Sequence, residues 1–182
     1  MNVKTLCLGI LSFGDTTGYD IKKMSVDGPF SNFVDVSYGS IYPALERLTK
    51  EGMVLCREEQ QSGKPDRKVY SITERGHAAL LEALEEEPGP DRFKSEFLFL
   101  MICAGWLGRQ RIERALDHRL ARHDAIIAHL NEAKACCDRK ASHFVIGYGL
   151  AIHEAARSYL TKNRQAAIDL AEKPDPSSRA AE

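Results

Sequence analysis

Apolar residues near the start of the chain recur with helical spacing. A first stripe, with steps of three and four residues, predicts a helix that ends where Gly14 and Asp15 follow. Thr16 or Thr17 can cap a second, shorter helix. The apolar positions of these two helices are Val3, Leu6, Cys7, Ile10 and Leu11, followed by Tyr19, Ile21 and Met24.

The third predicted helix follows a turn-rich loop at residues 27–32. Ser37 offers a cap, and Gly52 lies at the position that commonly ends a helix. Pro43 removes one backbone donor and crowds the preceding turn, so the pattern defines the start of this helix only to within one turn. Its predicted core positions are Ile41, Ala44, Leu45 and Leu48.

Beyond Gly52 the spacing changes from helical to alternating. Residues 53–59 and 67–73 are predicted to be two strands, joined by a turn at residues 60–66 that contains Gly63 and Pro65. Thr73 can cap a fourth helix. The inner face of that helix is predicted to carry Ala78, Leu81 and Leu84.

A segment of like charges and helix breakers at residues 85–91 predicts a domain boundary. We expect a first domain at residues 1–87, a helical second domain at residues 88–173 and a flexible tail at residues 174–182. In the second domain, an apolar stretch at 93–107 precedes long amphipathic segments at 109–140 and 143–171. The predicted fold class is mainly α with a small β-hairpin.

The order of the first five elements is typical of a winged helix-turn-helix domain, whose third helix fits the major groove of DNA, about 12 Å wide. The candidate DNA-binding residues near the start of this helix are Ser37, Tyr38, Gly39, Ser40 and Tyr42. The hairpin, or wing, carries Lys64, Arg67 and Lys68, which suit phosphate or minor-groove contacts. Taken alone, each group also fits a simple cap or a solvated turn.

Composition narrows the class of protein. The 182 residues are 43% hydrophobic and 28% charged with a formal net charge of −1, which argues against a disordered chain and gives no global argument for a nucleic-acid or membrane partner. Residues 1–90 hold 10 basic and 14 acidic side chains, yet residues 61–72 hold three basic and one acidic. Five cysteines without a disulfide pattern, and no secretory signal or membrane-length apolar run, predict a reduced, cytoplasmic protein.

Three motifs make the interpretation specific. GYDIKK at 18–23, SYGSIYPALERLTKEGMV at 37–54 and RKVYSITERGHAAL at 67–80 resemble the PadR family of transcriptional regulators. The resemblance implies a homodimer that binds operator DNA, usually as a repressor, and often responds to a small molecule. It assigns residues 38–42 to the recognition-helix motif, Lys64, Arg67 and Lys68 to the wing, and Tyr19 either to the DNA backbone or to the core.

The long amphipathic helices of the second domain can form a dimer interface or pack on each other within one chain, and we expect both at once. The resemblance also implies that an aromatic residue can stack on a planar effector in part of the family. Trp106, Phe93 and Phe97 are therefore candidate effector-binding residues, in a pocket between the domains. The alternative is that these rings, with Phe99, pack the domain junction.

Catalysis and cofactor binding are not expected. His118 and His123 are about 140° apart around a helix, so they do not converge on a metal ion. Cys136 and Cys137 lack a second cysteine pair, and His153 lacks a nucleophile. Two other functions remain open: a winged helix that binds another protein instead of DNA, and a drug-binding sensor of a different winged-helix family.

Overall fold

A computed structural model of the protein describes residues 1–171 except residues 32, 35, 38, 62 and 63; for residues 60, 61 and 64–66 it describes the backbone alone. The chain divides into two compact units, one from Met1 to Asp91 and one that begins at Arg92. The structure is mainly α-helical with one small antiparallel sheet, which confirms the predicted fold class. The predicted tail at residues 174–182 lies outside the described residues.

Three helices open the first unit: α1 (Val3–Leu11), α2 (Gly18–Val26) and α3 (Ile41–Lys50). Thr17, one of the two predicted caps, accepts a hydrogen bond from the backbone N–H of Asp20 at 3.1 Å. Helix α3 begins at Ile41 with Ser40 at the N-cap position, three residues after the cap predicted at Ser37 and within the one turn to which the sequence defined its start. This start places Pro43 in the first turn, where a backbone N–H has no partner within the helix and its loss costs little. Gly52, with φ +71°, follows the helix as predicted.

The sheet contains three strands in the order β1 (Thr16–Thr17), β3 (Lys64–Ile72) and β2 (Val54–Gln61), all antiparallel. The predicted hairpin is confirmed, but its strands extend further than predicted, so that most of the predicted turn at 60–66 is strand. The pairing is irregular between Glu59 and Gln61. Strand β1 was not predicted, because two residues carry no periodic pattern.

The fourth helix, α4 (Glu74–Glu85), begins at the predicted cap, where the Thr73 hydroxyl accepts a hydrogen bond from Gly76 N–H. Its predicted inner face is wrong: Ala78, Leu81 and Leu84 are exposed, and Gly76 and Leu80 are buried. A Cβ added at Gly76 would lie 2.1 Å from the carbonyl oxygen of Met53. This close approach of two backbones fixes the rotation of α4, and it turns the two leucines outward.

One hydrophobic core holds the first unit together. It joins α1, α2, α3 and α4 to the inner face of the sheet, and all four predicted core positions of α3 belong to it. Its largest fully buried side chains are Leu11, Ile21, Ile41, Leu45, Leu48 and Val54. The result is a rigid support for the outward face of α3 and for the hairpin.

The second unit is helical, with α5 (Glu96–Ile102), a 3₁₀ turn (Ala104–Trp106), α6 (Arg109–Ala135), α7 (Lys140–Lys162) and α8 (Arg164–Asp169). Two long helices are confirmed, but the first ends five residues earlier than predicted and the second is interrupted at Asn163. The core is small and centres on Ala104, Ile112, Leu116 and Ile168. Among the described residues, no helix is long and apolar enough to span a membrane.

Candidate nucleic-acid interface

The outward face of α3 is polar and forms the centre of the candidate site. Because Ile41, Ala44, Leu45 and Leu48 are buried, the opposite side of the helix faces solvent. The exposed residues of α3 are Tyr42, Pro43, Glu46, Arg47 and Lys50. Tyr42 was predicted as a candidate from the sequence, and the three charged residues were not. These three charged residues could have been predicted from the sequence, because their spacing from the buried positions of α3 places them on its exposed side.

The segment before α3 differs from the prediction. Ser37, Gly39 and Ser40 lie ahead of the helix, not in its first turn. The hydroxyl and the backbone N–H of Ser40 both donate to the carbonyl oxygen of Ser37, at 2.8 and 3.1 Å, so the two serines close a tight turn. Ser37 and Gly39 are exposed. Tyr38 lies outside the described residues.

An open groove of about 570 Å³ runs between the start of α2, α3 and strand β3. Tyr19, Tyr42, Arg67 and Lys68 line it together, so the structure brings four predicted site residues to one surface. The Tyr19 ring is 64% exposed, which excludes the alternative that it belongs to the core. Tyr42 packs against Gly18, where an added Cβ would lie 2.8 Å from the ring. Burial, with a smaller effect of the neighbouring Cys56, raises the pKa of Tyr70 in the groove to about 12.

The wing carries its cations on opposite faces, because adjacent residues of a strand alternate. Lys68 shares the inner face with Tyr70, whereas Arg67 leaves on the outer face opposite Glu59. The Glu59 carboxylate accepts two hydrogen bonds from Arg67, at 2.8 and 3.0 Å, and these lower its pKa. Lys68 lies 4.0 Å from Glu58. The side chain of Lys64 is not among those the structure describes.

This pairing corrects the charge count made from the sequence. The excess of cations at residues 61–72 omits Glu58 and Glu59, which the register places directly across from Lys68 and Arg67. On the outer face positive and negative side chains continue to alternate. Arg57 donates to Glu59 at 3.3 Å and to Asp15 at 2.7 Å. The Asp15 carboxylate and the Glu59 carboxylate raise the pKa of Arg57. The wing therefore presents much less net positive charge than the sequence predicts.

The three candidate effector residues of the second unit have different surroundings. Phe97 is half-buried against the core of this unit, with the Arg119 guanidinium 5.7 Å from its ring centroid. Phe93 and Trp106 are exposed, the latter at 86%. Their role in binding an effector stays a prediction.

A histidine pair in the second unit was missed by sequence reasoning. His123 of α6 and His153 of α7 meet with their Nδ1 atoms 3.0 Å apart, although 30 residues separate them in the chain. Burial, and then the positive charge of Arg119, lowers the pKa of both rings. Among the described residues no group of three or more metal-ligating side chains comes together.

Comparison with known proteins gives a consistent result. The model of the Transcriptional regulator PadR-like family matches residues 7–82. The "Negative transcriptional regulator PadR" of Bacillus subtilis is 30% identical over 129 residues, which cover 70% of each chain. The solved structure of smu.1604c from Streptococcus mutans matches with a TM-score of 0.77 and 29% identity, over 91% of this chain and 99% of that one.

Two structures of Bacillus subtilis PadR are also similar. The complex with operator DNA matches with a TM-score of 0.75 and 25% identity, over 90% of this chain and 98% of that one. The complex with p-coumaric acid matches with a TM-score of 0.66 and 24% identity, over 92% of this chain and 95% of that one. Both units of the present chain thus have counterparts in a single solved protein.

Proposed function

Because the chain belongs to the PadR-like family of transcriptional regulators, we propose that it represses transcription by occupying operator DNA as a homodimer until a small molecule releases it. The chain is a DNA-binding transcriptional regulator with a winged-helix unit. The observation that carries the repressor role is its similarity to Bacillus subtilis PadR, a negative regulator whose structure on operator DNA matches 90% of this chain.

The interface we propose for DNA is the groove of the first unit with the exposed face of α3. Helix α3 enters the major groove, Tyr19 and Tyr42 donate their hydroxyls to phosphates, and the wing follows the backbone. Ser37, Gly39 and Ser40 form the turn that approaches the DNA ahead of α3, and Tyr38 belongs to the same motif. The relatives favour this function over a winged helix that binds protein.

The homodimer we propose forms through the second unit. Its small core leaves many large apolar side chains exposed to solvent, and groups of such side chains on a surface typically mark an interaction site. The exposed large apolar residues of α5, the 3₁₀ turn and α7 are Leu98, Phe99, Ile102, Trp106, Phe144, Val145, Tyr148, Ile152 and Tyr159. Burial of such a set against a second copy accounts for its exposure in the single chain.

The effector we propose is a small aromatic acid bound by Phe93, Phe97 and Trp106. Bacillus subtilis PadR binds p-coumaric acid, which supports this ligand class. Trp106 is the sole tryptophan, so its fluorescence reports directly on the proposed site. A set of phenolic acids that neither quenches this fluorescence nor shifts the melting temperature would contradict the assignment. We further propose that the protein acts in the cytoplasm, without cofactor or catalytic activity.

The DNA interface is tested with the DNA that the protein enriches from a randomised duplex pool. The affinity for this DNA is measured over a series of salt concentrations. Replacing Lys64, Arg67 and Lys68 by alanine is expected to weaken binding to all DNA alike. For a dimer, the slope of log Kobs against log salt should become less steep by up to about 5, since each phosphate contact contributes about 0.9. Arg75→Ala, which removes one cation at an exposed position of α4 outside the groove, serves as the control and should leave the slope unchanged. Weakening confined to the selected sequence would contradict backbone contacts by the wing.

A further inference from the structure

An acidic side chain lies in the middle of the surface proposed to face DNA. Glu46 is exposed in the second turn of α3 and lines the groove with Tyr19, Tyr42 and Lys68. It lies one helical turn beyond Tyr42, on the side opposite the buried stripe. A carboxylate at this position cannot contact phosphate, because both groups are negative.

Two other acidic side chains nearby are paired with cations, and Asp20, which also lines the groove, accepts a hydrogen bond from the Thr17 hydroxyl at 2.6 Å. Glu51 at the end of α3 is paired with Lys4 at 2.7 Å, and Glu59 of the wing is paired with Arg67 at 2.8 Å. In the described part of the chain, no cation lies within ion-pair distance of the Glu46 carboxylate. Its acceptor oxygens therefore face the groove without such a partner.

The major groove offers a specific partner for such a group. Cytosine presents its N4 amino group as a donor there, and Glu is one of the side chains that accept from it. Resting on the proposed function, we propose that Glu46 accepts a hydrogen bond from a cytosine amino group and so determines base preference at one position of each half-site. A base without a donor at that point leaves a desolvated carboxylate unpaired, which makes the wrong sequence costly.

This role also explains how sequence can be read by a helix whose start lacks the usual base-reading side chains. The turn that precedes α3 and its first residues offer hydroxyl groups, which bind phosphate and bases alike. Glu46 lies one turn further in, where residues near the N-terminus of a recognition helix reach base edges. The carboxylate lowers affinity for DNA in general and raises discrimination between sequences.

Selection from a randomised duplex pool tests the proposal in the full-length protein. The wild-type motif should contain a cytosine position in each half-site, and Glu46→Ala should lose the preference there, a discrimination of at least about fivefold, while the other positions persist. Glu46→Gln should shift the preference at that position toward adenine, the base that Gln reads through N6 and N7. Glu82→Ala removes an equal charge from an exposed residue of α4 outside the groove and should leave the motif unchanged.

The outcomes separate this inference from the function on which it rests. If Glu46→Ala keeps the complete motif and only binds all DNA more tightly, the carboxylate merely repels phosphate and the inference is overturned. If the wild-type protein enriches no motif, the proposed function fails, and the inference fails with it. Because Glu46 is exposed, the melting temperature of each variant should match that of the wild type, which verifies that the comparison is made on folded protein.

Discussion

Two glycines of the first unit show how a single missing Cβ determines the position of a helix. Gly76 lies at the start of α4 against the backbone of Met53, so no side chain fits between them. Gly9 lies in the middle of α1, and nothing beyond its chain neighbours and the backbone of its own helix lies within 4 Å of the position that a Cβ would take. The same residue type is thus required at one position and replaceable at the other.

We therefore expect opposite effects of alanine at these two positions. Gly76→Ala should lower the free energy of unfolding by about 1–3 kcal/mol or more, the usual cost of overpacking. The cost is expected because the backbone of Met53, and not a flexible side chain, must move to make room. Gly9→Ala should raise it by up to about 1 kcal/mol, because alanine loses less conformational freedom in a helix. Urea unfolding of both variants measures the difference. A Gly76→Ala protein as stable as the wild type would show that α4 is free to rotate.

At the scale of elements, the types of the main helices and strands followed from the sequence, and their exact placement did not. The spacing of apolar residues predicted α1, α3 and the hairpin, because burial of one face determines that spacing. The same spacing predicted the wrong buried face for α4, because the large Leu81 and Leu84 contribute more to an apolar pattern than a buried glycine does. The pairing of the wing cations with glutamates of the neighbouring strand likewise could not be predicted, because it depends on the strand register.

The contact between α6 and α7 adds a pH-dependent element. The hydrogen bond between His123 and His153 requires one Nδ1 to donate and the other to accept, so it is lost when both rings are protonated. Arg119 and Arg122 add positive charge beside both rings, and Asp124 offsets it in part at His123. Burial and these charges together lower the pKa of both rings and so favour the neutral form of the pair.

Stability should accordingly fall in mild acid. Both pKa values are lowered on folding, so the unfolded chain binds protons first, and the free energy of unfolding decreases as the pH falls below about 6.5. Melting temperatures between pH 7.5 and 5 measure this decrease. His153→Gln should flatten the profile, whereas His129→Gln, at an exposed position of α6, should leave it unchanged. Equal profiles for His153→Gln and the wild type would exclude the pair as the cause.

At the scale of the whole molecule, the charge distribution indicates that one copy alone binds DNA weakly. The net charge is −1, and the described cations of the wing lie beside glutamates. Electrostatic attraction to phosphate is the main source of sequence-independent affinity, so a small field leaves little of it. The two winged-helix units of the proposed homodimer would compensate, because binding of the first would hold the second near its half-site at high effective concentration.

Separation of the two copies should therefore cost far more DNA affinity than any single contact. Ile102→Glu places a charge at the apolar surface of the second unit, where Ile102 is 83% exposed, and it should yield a monomer by light scattering. Loss of the second binding unit predicts an affinity for palindromic DNA lower by about 10²–10⁴-fold, with binding to a single half-site little changed. Leu81→Glu, at an exposed leucine of α4 in the first unit, is the matched control and should remain dimeric. A monomeric Leu81→Glu protein, or a dimeric Ile102→Glu protein, would mean that the copies associate through a different surface, and the half-site spacing would then have to be derived from that surface.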